Sequence, residues 1–403
     1  MILPTKLSIS LRRTAAVTLA VFLLACTKDD VIKPAELMAI NAEIKLQTQW
    51  SADVGKSSEK GYWTLRPAVV TDRVYISDQQ ARISAYTLDN GKVLWRTKIA
   101  PTASKKIKFH VSSGVYADTE LVVVALSSGE LVVLDAESGV ERWRQQLSSE
   151  MLAPVARLSD FVVAQTVDGH VYALDSQTGA ILWRYDTVLP VLTLWGTSAP
   201  VIDSGLVLVG FANGKLVALE LTTGRLAWER WIGLPKGRSE FERLTDVDGQ
   251  FWIENSVVYA AGYQSRVAAL SLPQGQPLWA RDMSSYVALT ADANALYVAD
   301  AEGSVSALSV DNGAVRWQQK ALAARQLSGV TVWQEMLLVG DLEGYLHVLN
   351  LEDGRFIGRT KVSSAPIRVA PVTAEDKLVV YASDARLKVF TLKNLTKKTG
   401  DEK

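Results

Sequence analysis

A glycine followed four residues later by a tryptophan recurs six times along this chain. The copies are LDNGKVLW (88–95), DAESGVERW (135–143), DSQTGAILW (175–183), ELTTGRLAW (220–228), SLPQGQPLW (271–279) and SVDNGAVRW (309–317). They pair Gly91 with Trp95, Gly139 with Trp143, Gly179 with Trp183, Gly224 with Trp228, Gly275 with Trp279 and Gly313 with Trp317. A seventh copy, NLEDGRFIG, keeps Gly354 and carries Gly358 where tryptophan is expected. Successive tryptophans of the six stand 48, 40, 45, 51 and 38 residues apart, close to the length of a four-stranded propeller blade. A length of 403 residues would otherwise suggest two or three domains. The repeat points to one ring instead.

Each unit has the same internal order. FVVAQTVDGHVYALDSQTGAILW (161–183) holds three β-rich runs, broken at Asp168-Gly169 and Thr178-Gly179. Alternating valines and small residues indicate strands, and the glycine-containing breaks supply left-handed turn positions. Outside the first thirty residues no stretch sustains a 3.6-residue period, so helix is nearly absent. A tryptophan that recurs once per unit at one turn-relative position packs neighbouring blades together; a redox or sugar-stacking role would not recur so. Units begin near residues 66, 112, 153, 199, 245, 287, 327 and 365, which makes eight. The last, KLVVYASDARLKVFTLKN, lacks its fourth strand, while Trp50 lies in IKLQTQW, a strand with no unit of its own. Pairing the two closes the ring and removes an open edge. The expected fold is therefore all-β: an eight-bladed β-propeller of four-stranded antiparallel blades over residues 43–395, with a short tail at 396–403. Trp50, Trp95, Trp143, Trp183, Trp228, Trp279 and Trp317 are its expected inter-blade residues.

The N-terminus reads as an export signal. Lys6, Arg12 and Arg13 precede an apolar run from Thr14 to Ala25 that is too short to span a bilayer. Residues 1–25 form the expected signal peptide, and the twin arginines count as charge only. Leu23-Leu24-Ala25-Cys26 closes the run, and Cys26 is the one cysteine of the chain. One cysteine cannot make an internal disulfide. It stands where lipidation would need it, and several acyl chains give lasting attachment to a membrane. Residues 26–42, polar and poorly periodic, are the expected lipidated tether.

Charge and composition exclude several classes. Basic and acidic residues number 43 each; cleavage before Cys26 removes three basic residues, leaving 40 against 43 and a net charge of −3. No basic stripe marks a nucleic-acid partner. His110, His170 and His347 fall in three different blades and suggest no metal site. In Asp246-Val247-Asp248-Gly249 the glycine arrives two positions too early for a calcium loop. Nucleophile-elbow, zinc-protease and phosphate-loop patterns are missing. No catalytic residue, metal or cofactor is expected. The small cluster Lys105-Lys106-Ile107-Lys108 reads as a solvated loop.

Ala173-Leu174-Asp175 through Trp183 resembles the repeats of pyrroloquinoline-quinone-type propellers. Together with the lipoprotein signal, the whole mature chain resembles the BamB family of the outer-membrane β-barrel assembly machinery, most specifically in LTLWGTSAP (192–200), ERLTDVD (242–248) and VGDLEGYLHVLNLEDGRF (339–356). The repeat is shared with enzymes, so a quinoprotein dehydrogenase is the competing reading. Such dehydrogenases use a vicinal cysteine pair, which this chain cannot supply.

Two long connectors give the family reading a place. Each runs about sixteen residues, one after Trp183 and one after Trp228, and they enter blades four and five. Propeller connectors of this type share one face, so Leu192, Leu194 and Trp195 are expected beside Asp246 and Asp248. An exposed apolar cluster flanked by carboxylates is what a docking site looks like. The resemblance implies that these leucines and aspartates bind the periplasmic POTRA domains of the barrel-forming subunit BamA. It also implies one copy per complex, a lipid anchor on the periplasmic face of the outer membrane, and unfolded outer-membrane proteins as a further partner. Trp195 departs from the family pattern, which has arginine there.

Overall fold

The computed structural model describes residues 33–56, 65–100, 102, 110–190, 192–193, 197–234, 238, 244–247 and 249–394. They form eight four-stranded antiparallel sheets, and no helix occurs among them. Blade three shows the pattern: Ala156–Leu158 innermost, then Phe161–Gln165, His170–Asp175 and Ile181–Asp186 at the rim. Blade eight is composite. Its inner strands are Val372–Ala374, Lys377–Tyr381 and Arg386–Asn394, and its rim strand is Ile44–Asp53 from the other end of the chain.

Alternation along the strands builds the core. In blade three Val162, Ala164 and Leu174 face blade two, whereas Val163, Val171 and Ala173 face blade four. Both faces of each sheet are thus buried, which explains why the middle strands read as nearly unbroken apolar runs. Ordered turns join them. The Asp175 carboxylate accepts from the backbone N–H of Gln177 and Thr178 and from the Thr178 hydroxyl, at 3.1, 2.7 and 2.7 Å. This is the Asp-turn that the D-x-x-T-G motif encodes.

A bulge between Ala173 and Leu174 then re-registers the rim strand, and an equivalent shift occurs in blades one to seven. The tryptophan after it packs on the next blade. Indole N–H groups of Trp50, Trp95, Trp143, Trp183, Trp228, Trp279 and Trp317 donate to Leu88, Ala136, Ser176, Leu221, Leu272, Val310 and Leu351 carbonyls, at 2.7–3.0 Å. Each ring also lies over the repeat glycine of that next blade, from Gly91 to Gly354.

The junction from blade seven to blade eight differs. Gly358 stands in place of the tryptophan, and Ile44 of the closing strand packs onto it. Trp333, on the innermost strand of blade seven, takes over by donating to the Glu375 carbonyl at 3.0 Å. The exception in the repeat marks where the N-terminal strand passes. Trp252, also outside the repeat rule, packs at the interface of blades five and six.

Candidate docking site

The connectors entering blades four and five span 187–200 and 232–251, fourteen and twenty residues. Both are held by one turn of blade four, Phe211 to Gly214. Asn213 Nδ2 donates to the Val188 carbonyl at 3.3 Å, tying down the first connector. The Gly214 carbonyl accepts from Ile232 and Gly233 N–H at 2.9 and 3.2 Å, tying down the second. Gly214 has φ +83°, and a Cβ there would press on Thr245 Oγ1, 2.9 Å away. Only glycine suits so close an approach.

The first connector presents apolar side chains to solvent. Val188 is 89 % exposed and Leu192 is 44 % exposed, while Leu189 between them packs into the core shared by blades three and four. Beneath lies a cavity of about 150 Å³ lined by Glu150, Gln165, Thr166, Leu189, Thr193 and Phe211. Burial there raises the Glu150 carboxyl above the ordinary range. From the second connector Leu234 is exposed, and Trp231 at its start is half-exposed under the Lys215 ammonium, 4.9 Å from the ring centre.

Asp246 corrects an expectation. An exposed rim carboxylate was expected there, but the residue is 1 % exposed. Its carbonyl accepts from Tyr263 N–H at 2.8 Å, and a Cβ on Gly262 would come within 2.6 Å of the same oxygen. That bridge draws Leu244 to Val247 into the cleft between blades four and five, where Val247 joins the core. Leu194, Trp195 and Asp248 lie outside the described residues, as do Cys26 and Lys105 to Lys108.

The ring axis holds a larger cavity, about 540 Å³, whose polar lining includes Arg66, Arg157, Thr197, Gln250, Tyr286 and Arg368. Arg66 from blade one and Gln250 from the opposite blade five join across it, Nη1 to Oε1, at 2.7 Å. Burial lowers the Arg66 pKa. Arg157 is neutralised by Asp118 and Glu120 at 2.5 and 2.7 Å. Among the described residues no group of three histidines, cysteines or carboxylates is placed to hold a metal ion. The histidines sit apart: His347 is buried in blade seven, His170 lies beside Ser148 and Asp168, and His110 beside Ser127.

The family model described as "Outer membrane protein assembly factor BamB" matches residues 79–319 and 301–403. The chain belongs to the BamB family. A BamB from Pseudomonas aeruginosa is 36 % identical over 95 % of this chain and 99 % of its own length. The crystal structure of BamB from Moraxella catarrhalis superposes with a TM-score of 0.77 at 26 % identity, covering 86 % of this chain and 100 % of that one. A quinohemoprotein alcohol dehydrogenase from Comamonas testosteroni reaches a TM-score of 0.70 at 14 % identity, over 86 % of this chain and 76 % of its own. That last likeness is one of fold alone.

Sequence reasoning singled out Leu192 and passed over Val188, Leu234 and Trp231. The signal for these was available. All three belong to the two long connectors or their edges and break the rule that loops are polar, but only the structure distinguishes them from Leu189, which is partly buried against the core.

Proposed function

We propose that this chain is an outer-membrane protein assembly factor that works as a non-enzymatic scaffold. It is acylated at Cys26, sits on the periplasmic face of the outer membrane, and binds the POTRA domains of BamA as one copy per complex. The observation that supports the docking site is the tie of both connectors to the Asn213–Gly214 turn, with Val188, Leu192 and Leu234 exposed along them. A surface held from below pays little ordering entropy when a partner binds. Leu192, Leu194 and Trp195 are the proposed apolar anchors. Asp248 is the proposed flanking charge, and Asp246 acts from within by holding the second connector in place. A ring with both faces of every blade covered holds the assembly machine together and aligns its domains for incoming barrel precursors, which are a secondary partner.

The test is capture of the mature chain from detergent-solubilised outer membranes. Recovery of the barrel-forming subunit is the expected result, and its absence from a well-folded bait would overturn the proposal. Cys26→Ser is expected to leave the protein as precursor or as soluble periplasmic material.

A further inference from the structure

The part of the N-terminal tether that the structure describes lies along blades six and seven. Ala35 N–H donates to the Ala323 carbonyl at 2.9 Å, and the Ala35 carbonyl accepts from Arg325 Nη1 at 2.7 Å. Leu37 packs against the core shared by those blades, which contains Trp317, Leu322 and Leu327. The Met38 carbonyl accepts from Arg359 Nη1 at 2.8 Å. Glu43 N–H donates to the Ile357 carbonyl at 2.8 Å, and the Glu43 carboxylate pairs with Arg355. From there the chain runs straight into the closing strand at Ile44.

The arginine that holds Ala35 is itself built in. Arg325 is 2 % exposed, with Nε on Asp341 at 2.8 Å and Nη2 on Glu343 at 2.5 Å. Asp341 also accepts from His347 Nε2 at 2.9 Å, and His347 Nδ1 accepts from Arg359 at 3.1 Å. The buried Arg325 and the partly buried Arg359, joined through Asp341 and His347, therefore reach out to two carbonyls of the tether. A buried guanidinium has a strong need to use its remaining donors.

We infer that this strap fixes which edge of the ring meets the lipid surface: the edge at blades six and seven is held against the membrane, and the edge at blades two and three points away from it. The inference rests on acylation of Cys26, proposed above. Reach decides the geometry. Seven Cα-to-Cα steps lead from Cys26 to Lys33, a leash of at most about 25 Å. A compact ring of this length is about 50 Å across. A leash of that length cannot let the ring stand on its opposite edge, which would lift blades six and seven about 50 Å from the bilayer. Were residues 33–43 free, the leash would be more than twice as long and no edge would be favoured. The proposed docking connectors lie two to three blades round the ring, clear of the lipid.

The experiment uses the full acylated chain in phosphatidylethanolamine–phosphatidylglycerol vesicles carrying a quencher on the lipid headgroup. Cys26 is the only native cysteine and would be acylated, so an introduced cysteine takes dye uniquely. Glu302→Cys and Ser128→Cys place the dye on equivalent exposed turns of the opposed blades six and two. Several-fold stronger quenching at residue 302 is expected, and a Gly-Ser insert after Thr27 that doubles the leash should shrink the difference without touching the ring. Equal quenching on vesicles that carry the protein would overturn this inference alone, as would a difference that the insert leaves unchanged. Protein that does not float with vesicles would overturn acylation and the inference together. Hydrogen exchange on soluble Cys26→Ser protein checks the strap separately: protected Ala35 and Glu43 amides support it, and free exchange at both would overturn it.

Discussion

The indole of Trp143 lies directly over the bare Cα of Gly179 in the next blade, and its N–H reaches the Ser176 carbonyl three residues earlier at 2.9 Å. A Cβ on Gly179 would stand 2.5 Å from Trp143 Cε3, in a residue whose φ is +74°. Tryptophan and glycine are therefore two halves of one joint. This is why they recur together although they never touch within a unit. The motif links each blade to the one before it.

Gly179→Ala is expected to cost about 3 kcal/mol or more, from left-handed backbone strain of about 1 kcal/mol and overpacking of about 2. Gly205→Ala shares the strain, at φ +77°, but its Cβ would meet nothing within 4 Å. It should cost about 1 kcal/mol. Chemical denaturation of both variants checks the order. Equal losses would mean that the joint tolerates a methyl group.

His347 gives a pH prediction. Burial lowers its pKa, with the charges of Arg359 and Arg325 acting the same way and the Asp341 carboxylate opposing them. The unfolded imidazole takes up a proton near pH 6.5 while the folded one resists, so stability should fall as pH drops below about 6.5. Protonating Nδ1 would also remove the acceptor that Arg359 uses. Asp341 acts in a lower window. Burial pushes its pKa up, but hydrogen bonds from His347, Tyr345 N–H and Arg325 outweigh this and hold it below the usual carboxylate range. Its contribution is present above the unfolded value and lost as pH falls through the folded one. Thermal unfolding between pH 7 and 5.5 should show a steeper loss for the wild type than for His347→Gln, and parallel profiles would contradict the assignment.

Reconstitution with pyrroloquinoline quinone and calcium is expected to yield no alcohol or sugar oxidation. The axial cavity is crossed by the Arg66–Gln250 hydrogen bond, and no metal-binding cluster is found among the described residues. Robust cofactor-dependent turnover in a dye-reduction assay would overturn the scaffold reading.

Much of this molecule was legible in the sequence because its order is local and repeated. Glycine turns, two-residue alternation and one tryptophan per unit specify blade number and ring closure, and the missing fourth strand of the eighth unit pointed to Trp50. What stayed hidden depends on packing between segments distant in sequence. Trp333 carries no repeat signature, since it serves from an inner strand the one junction where Gly358 stands in place of the repeat tryptophan. Asp246 was expected as an exposed rim carboxylate because nothing local announces its bridge to Tyr263. The tether looked unstructured because its contacts, Arg325 and Arg359, lie some three hundred residues away.

The most direct measurement is binding of purified mature protein to the periplasmic domains of BamA, comparing wild type with Leu192→Ala/Leu194→Ala/Trp195→Ala. Truncating a buried apolar anchor costs about 2–4 kcal/mol, so the triple variant should bind at least about a hundredfold more weakly at low and high salt alike, with an unchanged melting temperature. Wild-type affinity in a variant that melts normally would contradict the account.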